Sequence, residues 1–137
     1  MKTSLQISFL FVMIAALLVA CSPGDSQKQA AVGEPFELQA GEAVSVGDGE
    51  FLVSVVVFGE DSRCPMNALC IDAGQAAVRL SVNGEEMELA LGLDEQKSGL
   101  ALDGGYTLQL LEINPFPGSP DAEAGAPQSA RLVVSAN

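Results

Sequence analysis

Apolar and polar residues alternate in short segments from about residue 35 onward, which is the period of half-buried β-strands. The segments with this pattern or with the length of a short strand are Phe36–Ala40, Val44–Val46, Leu100–Leu102, Tyr106–Ile113 and Arg131–Ser135. Glycine-containing turn signals separate them, and no window of a dozen residues keeps a helical period of 3.6. The pattern therefore predicts strands joined by turns.

Two further segments give the strongest strand signals. Gln75–Val82 alternates, with every second residue from Ala76 to Val82 expected to face the core. The pair Asn83-Gly84 follows, which two-residue type I′ hairpin turns prefer, and Met87, Leu89 and Leu91 alternate on the return strand. The segment Glu50–Phe58 is apolar on both faces, which predicts a strand buried in the centre of the core.

Seven or eight short antiparallel strands fit into the roughly 100 residues of segment 35–137. This predicts an all-β fold, a small antiparallel β-sandwich of immunoglobulin-like size, with a small barrel as the alternative. At 137 residues, the chain has room for one such domain and not for two.

The first 20 residues have the composition of a secretory signal helix. Lys2 supplies a positive charge, and Phe9–Ala20 is an unbroken apolar run that is too short to span a membrane. The run leads into Leu18-Val19-Ala20-Cys21, which resembles the lipobox of bacterial lipoprotein precursors. We therefore interpret residues 1–20 as a lipoprotein signal peptide.

The lipobox resemblance implies that Cys21 is lipidated. Its thiol would accept a diacylglyceryl group, the small Ala20 would permit cleavage before it, and the new amine can then be acylated. Two or three acyl chains anchor a protein stably to a bilayer, whereas one holds only marginally. Ser22 follows instead of Asp, which by the same resemblance indicates the periplasmic face of the outer membrane in a Gram-negative cell.

Segment 21–34 is rich in Pro, Gly, Ser and Gln and is predicted to be a lipidated Cys followed by a flexible tether. Loss of Lys2 with the signal peptide takes the net charge from −12 to −13. Such a charge repels phosphate backbones, so nucleic-acid binding is excluded. The chain has no His, which removes the usual base at neutral pH and favours a protein that is not an enzyme and holds no cofactor.

If Cys21 carries lipid, Cys64 and Cys70 remain as an even pair in an oxidising compartment. The simplest interpretation is a disulfide with a purely structural role, which closes a small ring. Two sharper interpretations stay open, a redox-active pair and a copper site that adds the Met66 thioether. No metal site is expected from the many carboxylates, and Glu86 and Glu88 are interpreted as solvent-facing charges on the return strand.

The segment Asp61-Ser62-Arg63-Cys64-Pro65, followed by Cys70-Ile71 and Ala73-Gly74, resembles a group of small bacterial secreted proteins and lipoproteins. These share a DSRCP…C…AG motif and have no established activity. The resemblance implies the disulfide and an all-β fold, although an aromatic residue often stands where this chain has Asp72.

The sequence of this segment indicates a rigid loop between strands. It contains turn-forming side chains, an Arg that can pair with Asp61 or Glu60, and a glycine suited to positive φ. Its candidate recognition residues are Asp61, Ser62, Arg63, Pro65 and Gly74. We expect a non-enzymatic envelope module that binds or scaffolds an envelope protein or another ligand. The alternative is a protease inhibitor that presents the Cys64–Cys70 loop or the Pro-rich segment Asn114–Gln128, with Phe116 as an exposed contact. The second alternative is the copper or redox module.

Overall fold

The computed structural model describes residues 27–92 and 94–137, and the strands in these ranges form two sheets. In chain order the strands are β1 (Lys28–Ala30), β2 (Phe36–Gln39), β3 (Ala43–Val46), β4 (Phe51–Asp61), β5 (Ala76–Val82), β6 (Glu85–Leu91), β7 (Gly99–Leu102), β8 (Tyr106–Asn114) and β9 (Ser129–Ala136). One sheet has the order β1-β3-β4-β5-β6 and the other the order β2-β9-β8-β7. The two sheets stay separate, so the fold is a sandwich and not a barrel.

The predicted all-β sandwich is confirmed: segment 35–137 holds eight strands where seven or eight were expected, and β1, in the predicted tether, is a ninth within the described residues. Its core lies between the sheets and consists almost entirely of Val, Leu, Ile and Ala side chains. Phe51 is the aromatic residue buried among them, and its ring meets that of Tyr106 edge to face at 5.1 Å. Branched aliphatic side chains suit a pleated surface that is covered on one side.

The β5–β6 hairpin is confirmed in detail. Alternate residues from Ala76 to Val82 are buried, and Val82 pairs with Glu85 across the turn. Asn83 and Gly84 have φ of 51° and 87°, the two positive values that a type I′ turn requires. Glu86 and Glu88 face solvent, as the alternation predicts.

The prediction that Glu50–Phe58 is buried on both faces is wrong. This segment forms most of β4, the central strand of its sheet, and Phe51, Val53 and Val55 are buried. Leu52, Val56 and Val57 are 41–47% exposed on the other side. A two-layer sandwich covers only one face of each sheet, so apolar residues on the second face of a central strand stay in contact with solvent.

The predicted tether is shorter than expected, because the last part of segment 21–34 belongs to the domain. Lys28–Ala30 forms β1, an edge strand that runs parallel to β3 with Lys28 opposite Val44. The Lys28 ammonium lies 2.8 Å from a carboxylate oxygen of Glu42. Main-chain pairing creates this strand, whose polar side chains give no alternating signal. The predicted signal peptide and Cys21 lie outside the described residues.

The connections between strands differ sharply at the two ends of the sandwich. We call the end with the tight connections 47–50, 83–84 and 103–105 the turn end. The opposite end carries the long connections 62–75 and 115–128, and we call it the loop end. The predicted Pro-rich loop holds a single helical turn, α1 (Pro120–Glu123), capped by the Ser119 hydroxyl. In residues 27–92 and 94–137 no helix has the length and apolar character to cross a membrane.

Candidate functional site

Arg63 is the centre of the loop end. Its side chain is only 9% exposed and pairs with Asp61 through two bonds, in which Nε donates to Oδ1 at 2.9 Å and Nη2 to Oδ2 at 2.6 Å. The backbone N–H of Arg63 also donates to Asp61 Oδ1. Such a two-bond pair fixes the plane of the guanidinium as well as its position.

The electrostatics of Asp61 follow from this pairing. Burial by itself raises the pKa of Asp61, because a carboxylate loses hydration as it leaves water. The hydrogen bonds from the side chain and backbone of Arg63 outweigh this effect, and the pKa of Asp61 lies below its ordinary value. The pair is therefore ionised and acts as a fixed structural unit at neutral pH.

Arg63 also joins the two long connections. Its Nη1 donates to the carbonyl of Ile113 at 2.8 Å, and Nη2 donates to the carbonyl of Pro115 at 3.3 Å. The guanidinium carbon lies 4.6 Å from the centre of the Phe116 ring, a cation–π distance. One side chain thus holds segment 115–128 against segment 62–75 at a sequence separation of about 50 residues.

The first and last residues of connection 62–75 are bonded to each other. The Ser62 N–H donates to the Gln75 carbonyl at 2.8 Å, and the Gln75 N–H donates to the Ser62 hydroxyl at 3.1 Å. The Cys64 N–H donates to the Ala73 carbonyl. Gly74 has φ of 72°, as predicted, and a Cβ there would collide with the Ser62 carbonyl. The base of the loop is therefore a fixed extension of the sheet.

The Sγ atoms of Cys64 and Cys70 lie at disulfide-bonding distance, with their Cα atoms 5.8 Å apart. Inside the ring, the Ala68 N–H donates to the Pro65 carbonyl and closes a turn. The Met66 N–H donates to the carbonyl of Pro117 at 2.9 Å, which bonds the ring to the Pro-rich segment. The two connections form one bonded unit.

The ring and the residue after it present apolar side chains to water. Leu69 and Ile71 are fully exposed, at 105% and 103%, and Met66 is 68% exposed. We call these three residues the apolar tip. Scattered single apolar residues on a surface are ordinary, but three within six positions on a held loop are a concentrated apolar contact.

The candidate residues named from the sequence occupy the base of this loop. Asp61, Ser62, Arg63 and Gly74 hold its conformation through the contacts given above, and Pro65 accepts the hydrogen bond of the internal turn. These residues build the base of the loop, and of the five only Ser62 is exposed. The predicted pairing of Arg63 goes to Asp61 and not to Glu60.

Sequence reasoning missed Leu69 and Ile71. Met66 was considered only as a thioether ligand, and Phe116, which was expected to be exposed, is 39% exposed with the Arg63 guanidinium over its ring. The available signal was composition, because residues 64–71 contain no charged side chain in a chain that is 18% charged. Alternation could not reveal them, because they follow no strand or helix period.

Outside the loop end, the described part of the chain offers few candidate groups for metal binding or catalysis. Residues 27–92 and 94–137 contain no group of three or more His, Cys, Asp and Glu side chains placed to hold a metal ion. Near the turn end, an open concavity of about 640 Å³ lies against Val32, Ser45 and Gly47. Asp48 is the titratable side chain among its described lining residues, which include no second group for acid–base catalysis.

The chain matches no protein-family model, no curated protein and no solved structure. The resemblance of segment 61–74 to the DSRCP…C…AG group thus stays a prediction.

Proposed function

We propose that this protein is a lipid-anchored, non-enzymatic binding module of the bacterial cell envelope, held by Cys21, whose binding surface is the apolar tip. The lipobox supports the anchor, and the absence of His from the whole chain supports a function other than catalysis. The observation that carries the proposal is the full exposure of Leu69 and Ile71 on a loop with a bonded base.

The tip suits binding because it is held in place before any partner arrives. Binding costs free energy when loops and side chains must be ordered, and that cost falls when the free protein already has the bound conformation. Arg63, the Cys64–Cys70 pair and the Met66–Pro117 hydrogen bond supply this order. Rigid loops on a β-scaffold are common recognition sites for this reason.

A protease inhibitor is the second candidate, and one observation favours it. Leu69 projects fully into solvent beside Cys70, within a ring that resists opening. A protease could accept such a side chain in its specificity pocket without cutting the loop. The copper alternative has less support, because the two Sγ atoms lie at bonding distance from each other and supply no thiolate in that state.

The test combines lipid labelling with site-specific crosslinking in cells. We expect radioactive palmitate to label the wild-type chain and not Cys21→Ser, and the variant to leave the membrane fraction. A photoreactive amino acid at Leu69 should crosslink to the partner, whether that is an envelope protein or lipid, and the same group at Glu85 on the turn end should give no product. Absence of label, or equal crosslinking from both positions, contradicts the proposal. An envelope protease crosslinked at Leu69 selects the inhibitor.

A further inference from the structure

We propose that the apolar tip rests in the interface of the same bilayer that holds the Cys21 acyl chains, so that the sandwich stands with its loop end toward the membrane. This inference rests on the proposed function and names the partner of its binding surface. Three observations carry it: the direction of β1, the length of chain before β1, and the chemistry of residues 64–71.

The direction of β1 shows the side from which the chain enters the domain. Lys28 lies opposite Val44 in parallel pairing, and Val44 lies opposite Val53 in antiparallel pairing. β4 continues from Val53 toward Asp61 and the loop end. Because β1 runs against β4, its first residue lies on the loop-end side and its last on the turn-end side. The chain therefore enters β1 from the side of the loop end.

The length of chain before Lys28 fits this arrangement. Cys21 precedes Lys28 by seven residues, which span at most about 25 Å when fully extended. Along β4, the eight steps from Val53 to Asp61 cover about 26 Å at the usual rise of a strand. A fully extended linker therefore brings Cys21 almost to the level at which the loop end begins. A bilayer at that level meets the tip, which lies past the end of β4.

The chemistry of the tip fits a lipid interface. Residues 64–71 carry no charge, and Met66, Leu69 and Ile71 already point into solvent. Insertion into the interface would bury these side chains, and no side chain would have to leave the core. Acyl chains and an apolar protein contact then act as two linked membrane signals, each of which raises the effective concentration of the other.

The charge of the domain selects the type of lipid. The mature chain has a net charge of −13, and exposed Glu60 and Asp72 flank the tip. Anionic headgroups would repel this end, so the inference commits to a zwitterionic surface. A protein partner is the weaker alternative, because a standard interface uses about 20–30 residues on each side and the tip offers three apolar side chains.

The experiment uses the lipidated full chain in phosphatidylcholine vesicles and exploits the absence of tryptophan from the sequence. Leu69→Trp places a single fluorophore at the tip, and Glu85→Trp places a matched one at the turn end. We expect a blue-shifted emission at position 69 and strong quenching by lipids brominated on their acyl chains. Emission at position 85 should stay that of a solvent-exposed indole and resist this quenching.

A second tryptophan position serves as a control for membrane affinity that the tryptophan side chain itself introduces. Met66→Trp should show the same blue shift, and it should lose most of it when Leu69→Glu and Ile71→Glu are added. The shift should also weaken when half of the phosphatidylcholine is replaced by phosphatidylglycerol. Circular dichroism of each variant establishes that the sandwich is intact.

The outcomes separate the inference from the proposed function. Mass spectrometry that finds no acyl chains on Cys21 removes the proposed function and the inference together. A lipidated protein that floats with vesicles, yet has solvent-like emission at both positions, overturns the inference alone. So does a shift at position 69 that requires a crosslinkable envelope protein and does not occur in vesicles of pure lipid.

Discussion

The two ends of the sandwich reach their conformations by different means. At the turn end, β5 and β6 are joined by two residues, and Asn83 and Gly84 adopt the positive φ values that the pair favours by itself. At the loop end, connection 62–75 depends on Arg63, which bonds to Asp61 and to the carbonyls of Ile113 and Pro115. Local backbone preference determines one end, and contacts between distant segments determine the other.

This difference matters for function. A tight turn leaves few atoms free for recognition, because the residues that form it are also those that face solvent. The loop end separates the two roles, since buried side chains hold the conformation and Leu69 and Ile71 remain free to make contact. Substitutions at the base should therefore affect stability, and substitutions at the tip should affect binding.

The largest expected effect comes from Arg63→Ala. It leaves the Asp61 carboxylate without its partner, at 18% side-chain exposure, and removes the hydrogen bonds to the carbonyls of Ile113 and Pro115. We expect the free energy of unfolding to fall by about 3–4 kcal/mol, as for other buried pairs that lose one member. Urea denaturation measures this.

Arg131→Ala is the matched control for Arg63→Ala. Arg131 lies 3.5 Å from Glu112, and both side chains are about half exposed. Exposed ion pairs contribute less than about 1 kcal/mol, so this variant should remain close to the wild type. Equal losses in the two variants would show that Arg63 does not organise the loop end.

A smaller effect is expected for Gly74→Ala. The residue has positive φ, and its new Cβ would meet the Ser62 carbonyl, so the backbone at the base of the loop must shift. We expect a loss of about 2–3 kcal/mol, from the unfavourable left-handed conformation and the collision together. Thermal and urea unfolding report it.

Gly84→Ala isolates the conformational part of that loss. Gly84 also has positive φ, but a Cβ there would have nothing within 4 Å. Substitution of Gly84 should lower the free energy of unfolding by only about 1 kcal/mol. If Gly84→Ala proves as costly as Gly74→Ala, the close approach of Gly74 to Ser62 contributes nothing.

The smallest effect is a change in the acid sensitivity of the loop end. The folded pKa of Asp61 lies below its unfolded value of about 3.9, so its stabilising contribution is present above that pH. The contribution is lost as the pH falls through the folded pKa. We expect the free energy of unfolding to fall less steeply below about pH 4 in Asp61→Asn than in the wild type.

Glu42→Gln is the control for this pH dependence. Hydrogen bonds from the Lys28 side chain and the Gln39 N–H also lower the pKa of Glu42, with the same sign, but this carboxylate is exposed. The free energy of unfolding of Glu42→Gln should therefore still fall with decreasing pH to the extent that Asp61 is responsible. An acid profile of Asp61→Asn identical to that of the wild type would contradict a role for the ionised pair.

The sequence allowed prediction of those elements that local rules determine. Alternation located β5 and β6, and turn preference located their hairpin, because both depend on residues within a few positions of each other. The positive φ of Gly74 also followed from local reasoning. Each of these features depends on side-chain period or on backbone conformations that few residue types accept.

The remaining features depend on partners that are distant in the sequence. Nothing near Arg63 indicates that it bonds to Ile113, and nothing near Lys28 indicates that β3 provides a free edge for β1. The open outer face of β4 likewise depends on how many layers the domain has. The exposure of Leu69 and Ile71 follows from where the ring lies relative to the rest of the loop end.

The parallel pairing of β1 also determines how the domain bears mechanical load. A pull through the residues before Lys28 acts along the strand, so its hydrogen bonds to β3 are loaded in shear and share the force. If β1 detaches, the chain can extend up to Gly33, whose N–H donates to the Val134 carbonyl of β9, while β2–β9 stay folded.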